Sequence, residues 1–360
     1  MQSSKNAMTN NSAPHVNAAN YAQELLGFLA AHRESLSPLL ILPHDYPDPD
    51  ALAAAFALHF LVRECCGIES RIAYSGVIGR MENRAMVRIL RIPVHRLNPV
   101  DLKKYKQVAL VDTQPAFENN PFPGNRKATI VIDQHASPVK PAADLALVDP
   151  GCGATCVILA QALLLQNVEI PTRVATALAY GILSDTLDLY RAGRPDVPQI
   201  YLGILHHADI RTLARIQNPV RSRSFFVTLG RCIREALVYQ RLIVAHLGVI
   251  ENPDLVSQMA EFLLTYEQAR WSLCTGRYKG RLHVSLRSTK QDAQAGEVLR
   301  DAFGNRKQAG GHGAIAGGSC RLGPDAPEEV WQEKQQQIQE GLMKRLRISI
   351  KGRLCKPFLN

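Results

Sequence analysis

The sequence predicts an α/β protein: a doubly wound, mostly parallel sheet, and a second, smaller α/β domain joined to it by a helical linker. Three observations carry that prediction. Apolar runs alternate with helix-spaced segments through residues 19–190, the pattern of strands and crossover helices. Those runs end, one after another, in aspartate or histidine. The pattern then breaks at Arg191-Ala192-Gly193-Arg194-Pro195, and arginine-rich helical sequence follows before strand patterns resume near residue 241.

Composition bounds the rest. A chain of 360 residues, 46% hydrophobic and 21% charged, is long enough for two ordinary globular domains. Its eight cysteines include no C-x-x-C pair, which excludes a zinc ribbon or a thioredoxin-like site and fits a reducing compartment. Residues 1–18, rich in Asn and Ser, lack the apolar core of a secretion signal and are expected to be disordered. No uncharged apolar run approaches ~18 residues, so a cytoplasmic protein without a membrane span is expected. The net charge of +10 hints at polyanionic partners, yet the basic residues read as dispersed between residues 191–240 and the C-terminal region, with its basic tail at 351–360.

In order along the chain, residues 20–31 have the spacing of an amphipathic helix. Leu39-Leu40-Ile41-Leu42 reads as a buried strand, followed by a proline-punctuated turn carrying His44, Asp48 and Asp50, and by an alanine-rich helix over 51–62. A strand is expected at 70–75 and a helix at 80–90. Strands at 107–111, 128–132 and 145–148 run into Asp112, Asp133-Gln134-His135 and Asp149. Helices follow at 154–166 and 172–183, the latter running into Ser184-Asp185-Thr186. The second domain, 241–350, opens with a strand at 241–248. A further strand at 281–287 has Leu282, Val284 and Leu286 on one face and His283, Ser285 and Arg287 on the other. The run Ala309-Gly310-Gly311-His312-Gly313 reads as a loop that lets backbone amides approach an anion.

In a doubly wound sheet, ligands bind beyond the carboxyl ends of the strands. His44, Asp48, Asp50, Asp112, Asp133 and His135 all fall there. A single strand-end aspartate is a turn former or helix cap, and Asp50 could cap the 51–62 helix. Six such groups at one sheet edge need a cation, because clustered carboxylates repel. Aspartate and imidazole without thiolate suit Mn²⁺ or Mg²⁺ better than structural zinc, and a carboxylate-bridged metal pair serves phosphoester hydrolysis.

These motifs together resemble the DHH phosphoesterase superfamily, in the form that joins a DHH domain to a DHH-associated C-terminal domain. The motif H-x-x-P-D-x-D-A matches His44, Pro47, Asp48, Asp50 and Ala51. Asp112 matches the second motif, Gly181-Ile182-Leu183-Ser184-Asp185-Thr186 the fourth, and Gly310-Gly311-His312 with Ala316-Gly317 the C-terminal signature. Residues 284–288 match the V-S-L-R-S segment. The family's D-H-H triplet is Asp133-Gln134-His135 here, and an amide at 134 is a weaker ligand than imidazole.

The resemblance implies that His44, Asp48 and Asp112 hold one divalent ion, with Mn²⁺ favoured over Mg²⁺ or Co²⁺. It implies a second ion among Asp50, Asp112, Asp185 and Gln134, with hydroxide activated by metal as nucleophile. Asp112, Asp133 and His135 would be catalytic. His135, Arg287, Ser288, Gly310, Gly311 and His312 would bind substrate. The implied substrates are short oligoribonucleotides or 3′-phosphoadenosine 5′-phosphate. A single-stranded DNA exonuclease, a dinucleotide phosphodiesterase and a catalytically weakened nucleotide-binding protein stay open, as does a homodimer.

Overall fold

The computed structural model describes residues 18–98, 100–166, 168–290, 292–304, 308–349 and 356–358. Residues 1–17 of the segment expected to be disordered and most of the 351–360 tail lie outside these residues, while Ala18 opens a helix. The chain divides into two compact units, 1–219 and 220–360. The stretch 191–240, read as a helical linker, is shared between them: it carries the helices Asp196–Leu205, Ile210–Gln217 and Arg223–Glu235 and ends in a short strand, Leu237–Tyr239.

The first unit is built on a six-stranded sheet of β1 (Leu39–Pro43), β2 (Ser70–Tyr74), β3 (Val94–Arg96), β4 (Gln107–Val111), β5 (Ala128–Asp133) and β6 (Ala143–Val148). The order is β3-β2-β1-β4-β5-β6 and every pair is parallel. β1 and β5 are buried at every position, as strands covered on both faces must be. The chain winds outward from β1 to β3, returns to β4 beside β1, and winds outward again to β6. The reversal of strand order therefore lies between β1 and β4, the place where α/β sheets open a crevice.

The two faces are covered unequally. On one, Leu39, Ile41, Ala109, Val111, Ile130 and Ile132 pack against α1 (Ala18–Ala31), α2 (Pro49–Phe60), α5 (Cys156–Leu165) and α6 (Thr172–Thr186). On the other, Leu40, Leu42, Leu110 and Val131 cluster with Ala73, Tyr105, Val108, Phe122 and Ala128, a smaller group among the described residues. α2 is alanine-rich because α6 lies directly on it: a Cβ at Gly181 would come within 2.9 Å of both Ala53 Cβ and Cys156 Sγ. That close approach is what brings the end of α6 to the sheet edge. Among the described residues no helix is long and apolar enough to cross a membrane.

The second unit has its own six-stranded mixed sheet. It contains β7 (Leu237–Tyr239), β8 (Leu242–Val249), β9 (Trp271–Tyr278), β10 (Arg281–Ser288), β11 (Ala309–His312) and β12 (Ile315–Arg321), in the order β11-β12-β10-β9-β8-β7. Helices α10 (Asp254–Leu264), α11 (Ala295–Phe303) and α12 (Glu328–Arg345) pack on it. The glycine run expected as a loop is instead a β-hairpin, with Gly310 paired to Gly317 and Gly311 to Ala316. A Cβ at Gly311 would overlap the Ile315 carbonyl, and one at Gly296 the Gly311 carbonyl. Close packing within the unit therefore accounts for Gly311 and Gly296, while a Cβ at Gly310 would meet nothing within 4 Å.

Candidate metal centre

Three adjacent strands deliver the site. Pro43 is in register with Val111, and Val111 with Ile132, so His44, Asp112 and Asp133 stand side by side where β1, β4 and β5 end. Asp112 has φ +58°, a left-handed turn that ends its strand abruptly, and its amide donates to the Ile132 carbonyl at 2.8 Å.

His44 Nδ1 donates to the Asp45 carbonyl at 2.7 Å, which leaves Nε2 as the free lone pair of the neutral ring. Nε2 faces Asp112 Oδ2 at 3.4 Å and Asp48 Oδ1 at 3.7 Å. Ligand atoms from His44, Asp48 and Asp112 all lie within 4.8 Å of one another, and so do those from Asp112, Asp133 and His135. Asp112 is common to both groups, whereas Asp50 and Asp185, expected beside it around a second ion, fall in neither. The residues fit a divalent cation: two oxygens and an imidazole nitrogen converge, and the second ring nitrogen is fixed by a backbone carbonyl.

The carboxylates divide their duties. Asp48 caps α2, accepting from the Ala51 amide at 3.0 Å. Asp50 lies inside α2's first turn and caps a different helix. It accepts from the Thr155 and Cys156 amides at 2.6 and 2.8 Å, at the start of α5. A cap role for Asp50 was one expectation, but the helix it serves is not its own.

Burial first, then the Asp112, Asp185 and Asp48 carboxylates, push the Asp50 carboxyl well above its ordinary range. Asp185 is pushed up to about 8 by burial and by the charges of Asp48 and Asp112. Burial of Asp48 acts upward too, but His44, the Ala51 amide and Arg80 together outweigh it and hold that carboxyl at about 2. His135 is raised to about 9, chiefly by the Asp133 carboxylate 2.8 Å from its Nδ1. Without a cation, this edge stores protons in place of positive charge.

Gln134 sits among the second set. Its Nε2 donates to Asp185 Oδ2 at 2.8 Å and approaches Asp50 Oδ2 at 3.4 Å, so the amide ties together the carboxylates it was expected to join around a metal. Two residues that sequence reasoning passed over complete the centre. The Thr155 hydroxyl donates to Asp112 Oδ1 at 2.7 Å and accepts from the Gln134 amide at 3.1 Å. Gln114 Nε2 donates to Asp133 Oδ2 and to the His135 carbonyl, both at 2.7 Å. The signals were Gln114 two positions after Asp112, and Gly151-Cys152-Gly153-Ala154-Thr155 opening α5.

Other strand-end and substrate expectations resolve differently. Asp149, after β6, is held by Arg194 Nη1 at 2.6 and 2.8 Å and stands apart from the metal groups. In the second unit Arg287 is buried on β10, with Nε 3.2 Å from Glu261 and Nη1 donating to the Leu286 and Ala316 carbonyls at 3.1 Å. Ser288 is buried one position on. Gly310 and Gly311 lie in β11, and the His312 side chain is outside the described residues.

The fold and its edge residues thus define an α/β domain with a carboxylate–imidazole centre at the reversal of its sheet. Residues 38–182, all within the first unit, match the DHH family, N-terminal domain. The chain is 34% identical over 292 residues to an uncharacterized protein of Methanocaldococcus jannaschii, a match spanning 81% of this chain and 59% of that relative. Two solved structures share the fold. An exopolyphosphatase-related protein from Bacteroides fragilis superposes with a TM-score of 0.67 at 14% identity, covering 93% of this chain and all of the other. RecJ from Thermus thermophilus, in complex with Mn²⁺, gives 0.51 at 14% identity, covering 95% of this chain and 56% of its own.

Proposed function

We propose that this chain hydrolyses phosphoester bonds in short oligoribonucleotides or 3′-phosphoadenosine 5′-phosphate, with Mn²⁺ held by His44, Asp48 and Asp112. The observation that carries the reading is the convergence of these three side chains around Asp112 at the crevice of the sheet. A divalent ion bound there would acidify water and screen phosphoryl charge.

The chain's own residues supply the rest. Asp133 accepts from His135 Nδ1, so the imidazolium, raised to about 9, presents its other N–H outward from a half-exposed ring. It can donate to a phosphoryl oxygen or to the departing oxygen at neutral pH. Gln114 fixes both members of that pair, and Thr155 fixes Asp112. In this reading Arg287, Ser288 and the Gly310-Gly311-His312 run of the second unit contact substrate. An Arg287→Ala variant with an unchanged ratio of dinucleotide to long-strand turnover would remove Arg287 from that role.

A second reading rests on Gln134. An amide donating to Asp185 and Asp50 bridges them without a second ion, as a nucleotide-binding protein with weakened catalysis would require. Product analysis with Mn²⁺ separates the two, using ribodinucleotides, 3′-phosphoadenosine 5′-phosphate, cyclic dinucleotides and pyrophosphate. Release of mononucleotides or of inorganic phosphate supports the enzyme; saturable binding without product supports the second reading.

A further inference from the structure

The helices α2 and α6 run in opposite directions, and both of their shared ends are charged. At one end Gln134 joins Asp50 of α2 to Asp185 of α6, beside the metal centre. At the other, His59 near the end of α2 and Arg173 in the first turn of α6 line one cavity. From Asp185 back to Arg173 the helix rises about 18 Å, so the cavity and the metal centre are separate places in the first unit.

The cavity has a volume of about 270 Å³, a little below that of pockets for drug-sized ligands. Its lining includes Arg63, Arg91, Arg173, His59 and Phe60, and Glu64 is its one acid. Among the described residues, none of the three arginines has an ion-pair partner.

Four elements bring these groups together. Arg63 lies in a π-helical turn, Leu61–Cys65, that continues α2, a form that recurs at functional sites. Arg91 follows α3 (Met81–Leu90) with φ +52°, a left-handed backbone that disfavours a residue with a Cβ. The Arg173 guanidinium stands 5.6 Å above the centre of the Phe56 ring. His59 Nδ1 is 2.8 Å from the Ser70 hydroxyl of β2. No side chain caps the first amides of α6, so the positive end of that helix begins here as well.

Burial first, then Arg63 and Arg173, press the His59 imidazole down to about 4. The ring is thus neutral at physiological pH, yet the three guanidiniums cannot give up their charge. They repel one another, and a ligand carrying several negative charges relieves that repulsion. Guanidinium forks and helix-end amides both match phosphate oxygens, and the small volume limits the ligand to a few atoms beyond its charged groups.

We infer that this cavity is a second ligand site, where Arg63, Arg91 and Arg173 hold a small, multiply charged phosphorylated molecule away from the metal centre. The inference concerns binding and does not depend on what the metal centre hydrolyses.

The test titrates the full chain with inorganic pyrophosphate by calorimetry, in chelator, where the unscreened carboxylates of the metal centre repel the same probe. The double variant Arg63→Gln, Arg173→Gln should bind at least about tenfold more weakly, the scale of losing a hydrogen bond to a charged group. Arg91→Gly removes a charge where the left-handed backbone suits glycine, so it should melt like the wild type and still bind more weakly. Citrate, whose charges are carboxylates, should bind less tightly than pyrophosphate. Failure of the wild type to bind millimolar pyrophosphate, or unchanged affinity in either folded variant, would overturn the inference. So would citrate binding as tightly as pyrophosphate, since the cavity would then not select phosphoryl groups.

Discussion

Gln134 Nε2 lies 2.8 Å from Asp185 Oδ2 and 3.4 Å from Asp50 Oδ2, so one neutral amide links two carboxylates that repel each other. The two metal positions should consequently differ in affinity. Replacing the amide by imidazole substitutes a ligand for a donor. Gln134→His should lower the Mn²⁺ concentration that half-activates the protein by about tenfold, the scale of losing or gaining one supporting contact. Calorimetric titration of both proteins checks this independently of turnover. Superimposable titrations would show that residue 134 does not govern the second position.

Thr155 holds Asp112 through one hydrogen bond and the Gln134 backbone through another, in a fully buried place. Thr155→Val keeps the shape and removes both. The buried Asp112 oxygen then lacks this partner, costing about 1–3 kcal/mol before relaxation, and the part-buried Gln134 N–H loses its own. The expected outcome is a kcat at least about tenfold lower with KM nearly unchanged, because the Asp112 carboxylate loses its orientation rather than its charge. Thr155→Ser should restore most of the rate. A KM effect of similar size would point to a substrate contact instead.

The pH dependence of the metal-free protein follows from protons held at the sheet edge. Burial and neighbouring carboxylates keep Asp185 protonated up to about 8 and raise Asp50 as well, while Asp133 keeps His135 protonated to about 9. The unfolded chain releases these protons earlier, so it binds fewer of them across this window. The carboxyls' contribution is complete below about pH 4 and the imidazole's below about 6.5; both are lost as pH rises toward 8 and 9. Asp48, held at about 2, is ionised in both states there and adds no slope. Below about 6.5 the depressed histidines His59, His95, His246 and His283 act the other way, so the melting temperature in chelator should fall between about pH 7 and 8.5, and added Mn²⁺ should raise it more at the upper end. A flat or rising profile in chelator would contradict this protonation pattern.

Much of the first unit was legible because its strands are short apolar runs whose polar ends all serve one edge. His44, Asp112 and Asp133 could be placed there from the sequence, since a parallel sheet aligns successive strand ends. Partners set by tertiary packing could not. Asp50 caps a helix that begins more than a hundred residues later, and Thr155 reaches Asp112 only once α5 packs beside α2. The Gly310–Gly311 stretch was read as a loop for a related reason: its pairing with β12, and the fit of Gly311 against β12 and α11, are contacts that local sequence does not name. Arg287 looked available on a strand face, but Glu261 of α10 and the Ala316 carbonyl of β12 engage it.

The central claim is that Asp112 joins the metal-binding and reacting groups of a phosphoester hydrolase. It is tested most directly by Mn²⁺-dependent release of mononucleotide from a ribodinucleotide, for wild type and Asp112→Ala side by side, with bound metal counted after gel filtration. The wild type should retain metal and release product. Asp112→Ala should lose turnover and most of its metal while keeping its fold, because removing one carboxylate relieves repulsion with Asp50 and Asp185. Activity within tenfold of wild type, with metal content unchanged, would contradict the account.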